Sequence, residues 1–260
     1  MPRGAGSGPL ALIPDMHVMV QGLVAGDRTL KEVIKTAFAP GLRAGIDALS
    51  APVRQAGRAL SELHASGAVS GPVVTWEAQV AAVRHASEEL ATVVPSVAGA
   101  VELLLARLEA LALEAPAGPL VPTHRSFRPA QLLIGDDAMA MIDFDGFCQA
   151  EAGLDIALFR ITLTDLCLRA LAPDDGRPID PAEHEVWRTE LDELAGVFLR
   201  GYQEVGQVYA ARLALWDATT GAKDILDCWR KIKFEHLDRR MGFLRSEMGA
   251  SQPLTAPRGA

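Results

Sequence analysis

Between Thr123 and Gly146 the chain reads THRSFRPAQLLIGDDAMAMIDFDG. His124, Arg125, Ser126, Arg128 and Gln131 precede one short apolar run, and Asp143 and Asp145 follow a second. The runs, Leu132–Ile134 and Ala138–Ile142, flank the turn-forming Gly135-Asp136-Asp137, so the pattern predicts a hairpin. A hairpin returns the chain to its starting point and brings Gln131 near Asp143. A carboxylate beside an amide oxygen suits Mg²⁺, a hard cation that completes its shell with water and phosphate oxygens. His124, Arg125 and Arg128 add donors that could hold an anionic group. An equally weighted structural alternative has Arg125 and Arg128 simply pairing with Asp143 or Asp145 at the surface.

The surrounding pattern is mostly helical. A β-rich alternation over His17–Val24 predicts an early strand, and Gly26-Asp27 a turn. Thr29 with Glu32 three residues on is a capping box that opens a helix to about Phe38. Further helices are expected over Ala51–His64, Trp76–Val94 and Ala98–Glu114, the last two separated by Pro95. After the hairpin come Asp155–Leu171, Pro181–Gly201, Arg212–Ile225 and Asp227–Glu247. An isolated hairpin is only marginally stable in water, so this one must lie on a helical core.

Bulk properties narrow the function classes. The 260 residues are 49% apolar and 22% charged, enough to bury a sizeable core. A formal net charge of −8 argues against nucleic-acid or anionic-membrane partners. Cys148, Cys167 and Cys228 are widely spaced and odd in number, which fits buried thiols in a reducing, cytoplasmic setting. Gly4–Gly8 imitates a phosphate loop but lacks a preceding strand. The acidic Asp174, Asp175 and Asp180 suit either a solvated loop or a cationic substrate.

The segment THRSFRPAQLLIGDDAMAMIDFDGFCQAEAGLDIALF resembles the H-G-D-x-x-x-x-N … I-D-F … D-x-A region of aminoglycoside phosphotransferases and choline-kinase-like enzymes. HVMVQGLVAGDRTLKEVI, GRALSELHASG, FLRGYQEVGQ and CWRKIKFEHLDRRM extend the likeness over about residues 12–247. The resemblance implies an α+β, mainly helical, kinase-like C-lobe. Its divisions would be a flexible tail (1–10), a remnant N-lobe strand and hinge (11–28), the helical lobe (29–250) and a disordered tail (251–260). It also implies Mg²⁺ and ATP, or another nucleoside triphosphate, with a small-molecule hydroxyl as acceptor. On this likeness Asp143 and Gln131 bind metal, and His124 supports the catalytic loop. Asp155 and Arg128 brace it, Asp145 lies near the acceptor, and Gln21, Gly22, Leu23 and Val24 meet adenine.

Three departures stand out. Ser126 occupies the position of the catalytic aspartate, Arg125 replaces a glycine, and no lysine precedes Lys31 to clamp the phosphates. Three readings follow: a phosphotransferase, a degenerate binding protein using the same cleft, and part of a longer chain whose N-lobe is encoded upstream of Met1.

Overall fold

The computed structural model describes residues 9–16, 18–21, 26–135, 139–172 and 181–231. In chain order these form strands β1 (Pro9–Ile13), β2 (Val18–Gln21) and β3 (Arg28–Thr29), then helices α1 (Leu30–Ala37) and α2 (Leu42–His64). Strand β4 (Val73–Val74), helices α3 (Trp76–Leu90) and α4 (Pro95–Ala112), and strands β5 (Leu120–Thr123), β6 (Leu132–Ile134), β7 (Met139–Met141) and β8 (Cys148–Glu151) follow. Helices α5 (Gly153–Leu171), α6 (Pro181–Tyr202) and α7 (Ala210–Arg230) complete the described chain. The class is α+β and mainly helical, as expected. Its strands make three small sheets, β1-β2, β3-β6-β7 and β4-β8-β5. Among the described residues, no helix is long and apolar enough to cross a membrane.

The chain forms two compact units. One gathers Met1–Ala68, His124–Phe147 and Leu158–Gln207. Its first helix starts as the sequence predicts. The Thr29 hydroxyl accepts from the Glu32 backbone N–H at 3.2 Å, and the Glu32 carboxylate accepts from the Thr29 N–H at 2.7 Å. That reciprocal pair satisfies two donors which a helix start leaves open.

Helices α2 and α6 form the largest helix contact of this unit, and glycine makes it close. A Cβ on Gly57 would collide with the Phe198 carbonyl oxygen, and one on Gly201 with the Arg54 carbonyl oxygen. Arg54 and Glu204 pair at 2.6 Å, while the His64 Nδ1 lies 2.9 Å from the Tyr202 hydroxyl. Phe159 stacks on Phe198 with ring centroids 4.3 Å apart, and Phe127 lies 5.2 Å from Phe159. Phe127 is fully buried and belongs to the polar loop itself, so this aromatic cluster anchors the loop from below.

The second unit gathers Val69–Thr123, Cys148–Ala157 and Val208–Ala260. Its centre is a buried ion pair. Arg212 donates to both oxygens of Glu151, at 2.7 and 2.6 Å, and its guanidinium lies 5.2 Å from the Trp76 ring centroid. The Gly118 N–H donates to Glu151 as well, at 3.2 Å. A buried pair is tolerable only when its remaining polar sites are engaged in this way.

The structure corrects several expectations. Helix α2 begins at Leu42 rather than Ala51 and runs through Pro52. Helix α4 begins at Pro95 rather than Ala98, because proline needs no N–H partner at a first helical position. Helix α7 is continuous across Leu226 to Arg230, where two helices were expected; the chain beyond 231 lies outside the described residues. Strand β1 and the β4-β8-β5 sheet were not foreseen. The turn residues Asp136 and Asp137, the acidic Asp174, Asp175 and Asp180, and both expected tails (residue 9 onward in β1 aside) lie outside the described residues.

Candidate functional site

The polar loop and the hairpin both belong to the first unit. The hairpin register pairs Leu132 with Met141 and Ile134 with Met139. One more rung, Ile142 N–H to the Gln131 carbonyl at 3.0 Å, extends the ladder beyond the strands. That rung fixes Gln131 beside Asp143, as the sequence suggested.

The Gln131 Nε2 donates to the Asp143 Oδ2 at 3.1 Å. The other amide atom, Oε1, is buried with no hydrogen-bond partner among the described residues. A buried orphan acceptor has a desolvation cost and calls for an explanation. Turning the amide over would set Oε1 beside the carboxylate, where two acceptors repel each other unless a cation lies between them. Among the described residues, no group of three His, Cys, Asp or Glu side chains gathers into a metal cage. One carboxylate and one amide oxygen fit a cation that keeps most of its shell in water and phosphate oxygens, as Mg²⁺ does.

His124 is fully buried. Its Nε2 lies 3.0 Å from the Ile142 carbonyl oxygen, its Nδ1 lies 3.2 Å from the Ser126 hydroxyl, and its ring lies 4.6 Å from that of Phe144. The imidazole therefore ties the loop to the residue just before Asp143. Ser126 is half-buried, with its hydroxyl also 3.4 Å from the Asp143 carbonyl oxygen. Arg128 Nε donates to the Ser126 carbonyl at 3.4 Å, within the same loop.

Backbone conformation marks the same place. Among the described residues, the only non-glycine positive φ angles are at Arg125 (65°) and Asp143 (69°). A side chain in the left-handed region costs about 1–2 kcal/mol. The fold therefore places its two strained positions within the loop and at the carboxylate.

The other anticipated residues are placed as follows. Asp145 is exposed in the short 3-10 turn Phe144–Gly146. Asp155 is fully buried in the first turn of α5, within the second unit. Gln21 ends β2, while Gly22, Leu23 and Val24 lie outside the described residues. Sequence reasoning missed the Ile142 carbonyl, Phe127 and Phe144. Backbone acceptors carry no residue-type signal, and the two phenylalanines read as ordinary core.

Comparisons with known proteins place the fold and the family. A model of the phosphotransferase enzyme family matches residues 42–187, more than half of the chain and including the loop, the hairpin and Asp143. No curated protein matches the sequence. Among solved structures, a glucosamine kinase superposes with a TM-score of 0.65 at 19% identity, over 88% of this chain and 61% of that one. The same kind of enzyme in complex with glucosamine, ADP and inorganic phosphate gives 0.63 at 19% identity, over 90% and 60%. A choline/ethanolamine kinase family protein from Mesorhizobium loti gives 0.61 at 16% identity, over 94% and 74%. The chain thus spans about three-fifths of the length of the glucosamine kinases it resembles. It shares their kinase-like fold, and with the matched family model it belongs to the phosphotransferase enzyme family.

Proposed function

We propose that this protein transfers a phosphoryl group from ATP or another nucleoside triphosphate to a hydroxyl of a small molecule, with Mg²⁺. The observation that carries the reading is the Gln131–Asp143 pair, one carboxylate and one orphan amide oxygen held together by the hairpin ladder. In this reading Asp143 and Gln131 hold the cation, which when bound neutralises charge on the donor phosphates. His124 keeps the loop and the Asp143 backbone in fixed register, and Arg125 and Arg128 offer cationic donors at the loop. A structural relative bound to ADP supports nucleotide use. Phosphoryl transfer depends mainly on positioning and electrostatics, which fixed polar groups such as these can supply.

Thermal melting with and without Mg²⁺-ATP tests the reading. A raised Tm that disappears in Asp143→Ala is expected; no rise for the wild-type chain would refute it. A second reading, ligand binding without transfer, is favoured by Ser126 in place of a carboxylate. It predicts the same rise in Tm with no ADP release in the presence of glucosamine, choline or ethanolamine.

A further inference from the structure

The loop carries a serine where a carboxylate was expected, and a lone serine hydroxyl is a poor proton acceptor near neutral pH. The hydrogen bonds around it change that chemistry. His124 Nε2 faces the Ile142 carbonyl oxygen at 3.0 Å, and a carbonyl can only accept. The proton of a neutral imidazole therefore sits on Nε2, which leaves Nδ1 as an acceptor. The group 3.2 Å from Nδ1 is the Ser126 hydroxyl, whose one proton has two acceptors in reach, the ring nitrogen and, at 3.4 Å, the Asp143 carbonyl oxygen; the ring nitrogen is the nearer. The fully buried imidazole is held in place by its carbonyl bond and by the Phe144 and Phe127 rings, at 4.6 and 6.0 Å.

We infer that Ser126 and His124 together form the proton-accepting unit of this site, with Ser126 as the catalytic relay and His124 positioning it and storing the proton. The inference rests on the phosphotransferase reading above. In the step, the acceptor hydroxyl gives its proton to Ser126 Oγ while the Ser126 proton passes to His124 Nδ1. The acceptor oxygen forms a bond to the terminal phosphorus of the nucleoside triphosphate. The bond from that phosphorus to the bridging oxygen breaks, and the nucleoside diphosphate leaves with the electron pair. The imidazolium then returns its proton through Ser126 to solvent. The pair thus substitutes a two-atom relay for one carboxylate.

The test is a double-mutant cycle on the 260-residue chain with Mg²⁺-ATP, water serving as acceptor and ADP release as the readout. Ser126→Ala should lower the rate about 100-fold, toward the lower end of general-base effects. His124→Gln keeps an amide N–H for the Ile142 carbonyl but has no acceptor at the Nδ1 position. It should cost about as much as Ser126→Ala alone and nothing further when combined with it. In the Ser126→Asp background, whose carboxylate accepts the proton directly, His124→Gln should cost at least about 10-fold less than in the wild-type background, leaving only the loss of loop support. Equal losses in both backgrounds would reduce His124 to a structural support and overturn the relay. Failure of Mg²⁺-ATP to raise the Tm would instead refute the phosphotransferase reading. NMR of isotope-labelled histidine still judges the pair in that event. A proton on Nε2 and an Nδ1 signal that shifts in Ser126→Ala are expected, and a proton on Nδ1 overturns the inference with or without nucleotide.

Discussion

At the scale of single residues, the site is defined by what its backbone tolerates. Arg125 and Asp143 both sit at positive φ, near 65° and 69°. Arg125→Gly should remove the strain and stabilise the protein by about 0.5–1 kcal/mol, less than the strain itself because glycine also frees the unfolded chain. Arg125→Val should destabilise by about 1–2 kcal/mol, since a β-branched residue fits that region worst. Urea melts of the two variants would show the opposite signs. The buried ion pair of the second unit makes a larger prediction. Arg212→Met leaves the Glu151 carboxylate buried without its partner and should cost about 3–5 kcal/mol. Replacing both, Arg212→Met with Glu151→Gln, should recover part of that loss in the same melts.

At the scale of elements, two contacts are decisive. The glycine-lined approach of α2 and α6 predicts that Gly57→Ala or Gly201→Ala costs about 2–3 kcal/mol, since backbone atoms rather than flexible side-chain ends must give way. Thermal unfolding would detect either change. The capping box of α1 makes a pH prediction. The Thr29 backbone hydrogen bond, followed by its hydroxyl, holds the Glu32 carboxyl below the ordinary glutamate range. A depressed folded pKa gives stability that is present above the unfolded value and lost as pH falls through the folded one. The Tm gap between wild type and Glu32→Gln should therefore be present at neutral pH and close on acidification below that range. The same elements show what was legible. Thr29 and Glu32 announce their cap because the whole motif lies within one turn, and the hairpin announces itself by its turn residues and alternation. Strands β5 and β8 stay hidden because each has four residues, β5 contains Pro122, and they pair across a hairpin. The extent of α2 was misjudged because Pro52 imitates a helix start, whereas its long packed face outweighs one lost hydrogen bond.

At the scale of the whole molecule, the family match spans residues 42–187 and the fold likeness nearly the full chain. The polar loop and the Gln131–Asp143 pair were readable because their residues are close in sequence. The Ser126–His124 contact was half readable: both residues stood out, but their shared hydrogen bond depends on the Ile142 carbonyl. All three cysteines are buried thiols outside any disulfide, and burial pushes the Cys167 thiol well above the ordinary range. A thiol-specific reagent should therefore label none of them quickly in the native protein and all three after denaturation. Rapid native labelling would show that one of these sites opens readily.

The α2–α6 contact has a consequence for biosynthesis. His64 and Tyr202, which close it, are 138 residues apart in the chain. At the usual pace of translation, α2 waits roughly 7–28 seconds for its partner to be made. During that interval the face carrying Leu49, Val53, Ala56 and Leu60, fully buried in the finished fold, has no α6 to cover it. A nascent chain stalled before residue 181 should be a better chaperone client than one released after residue 207.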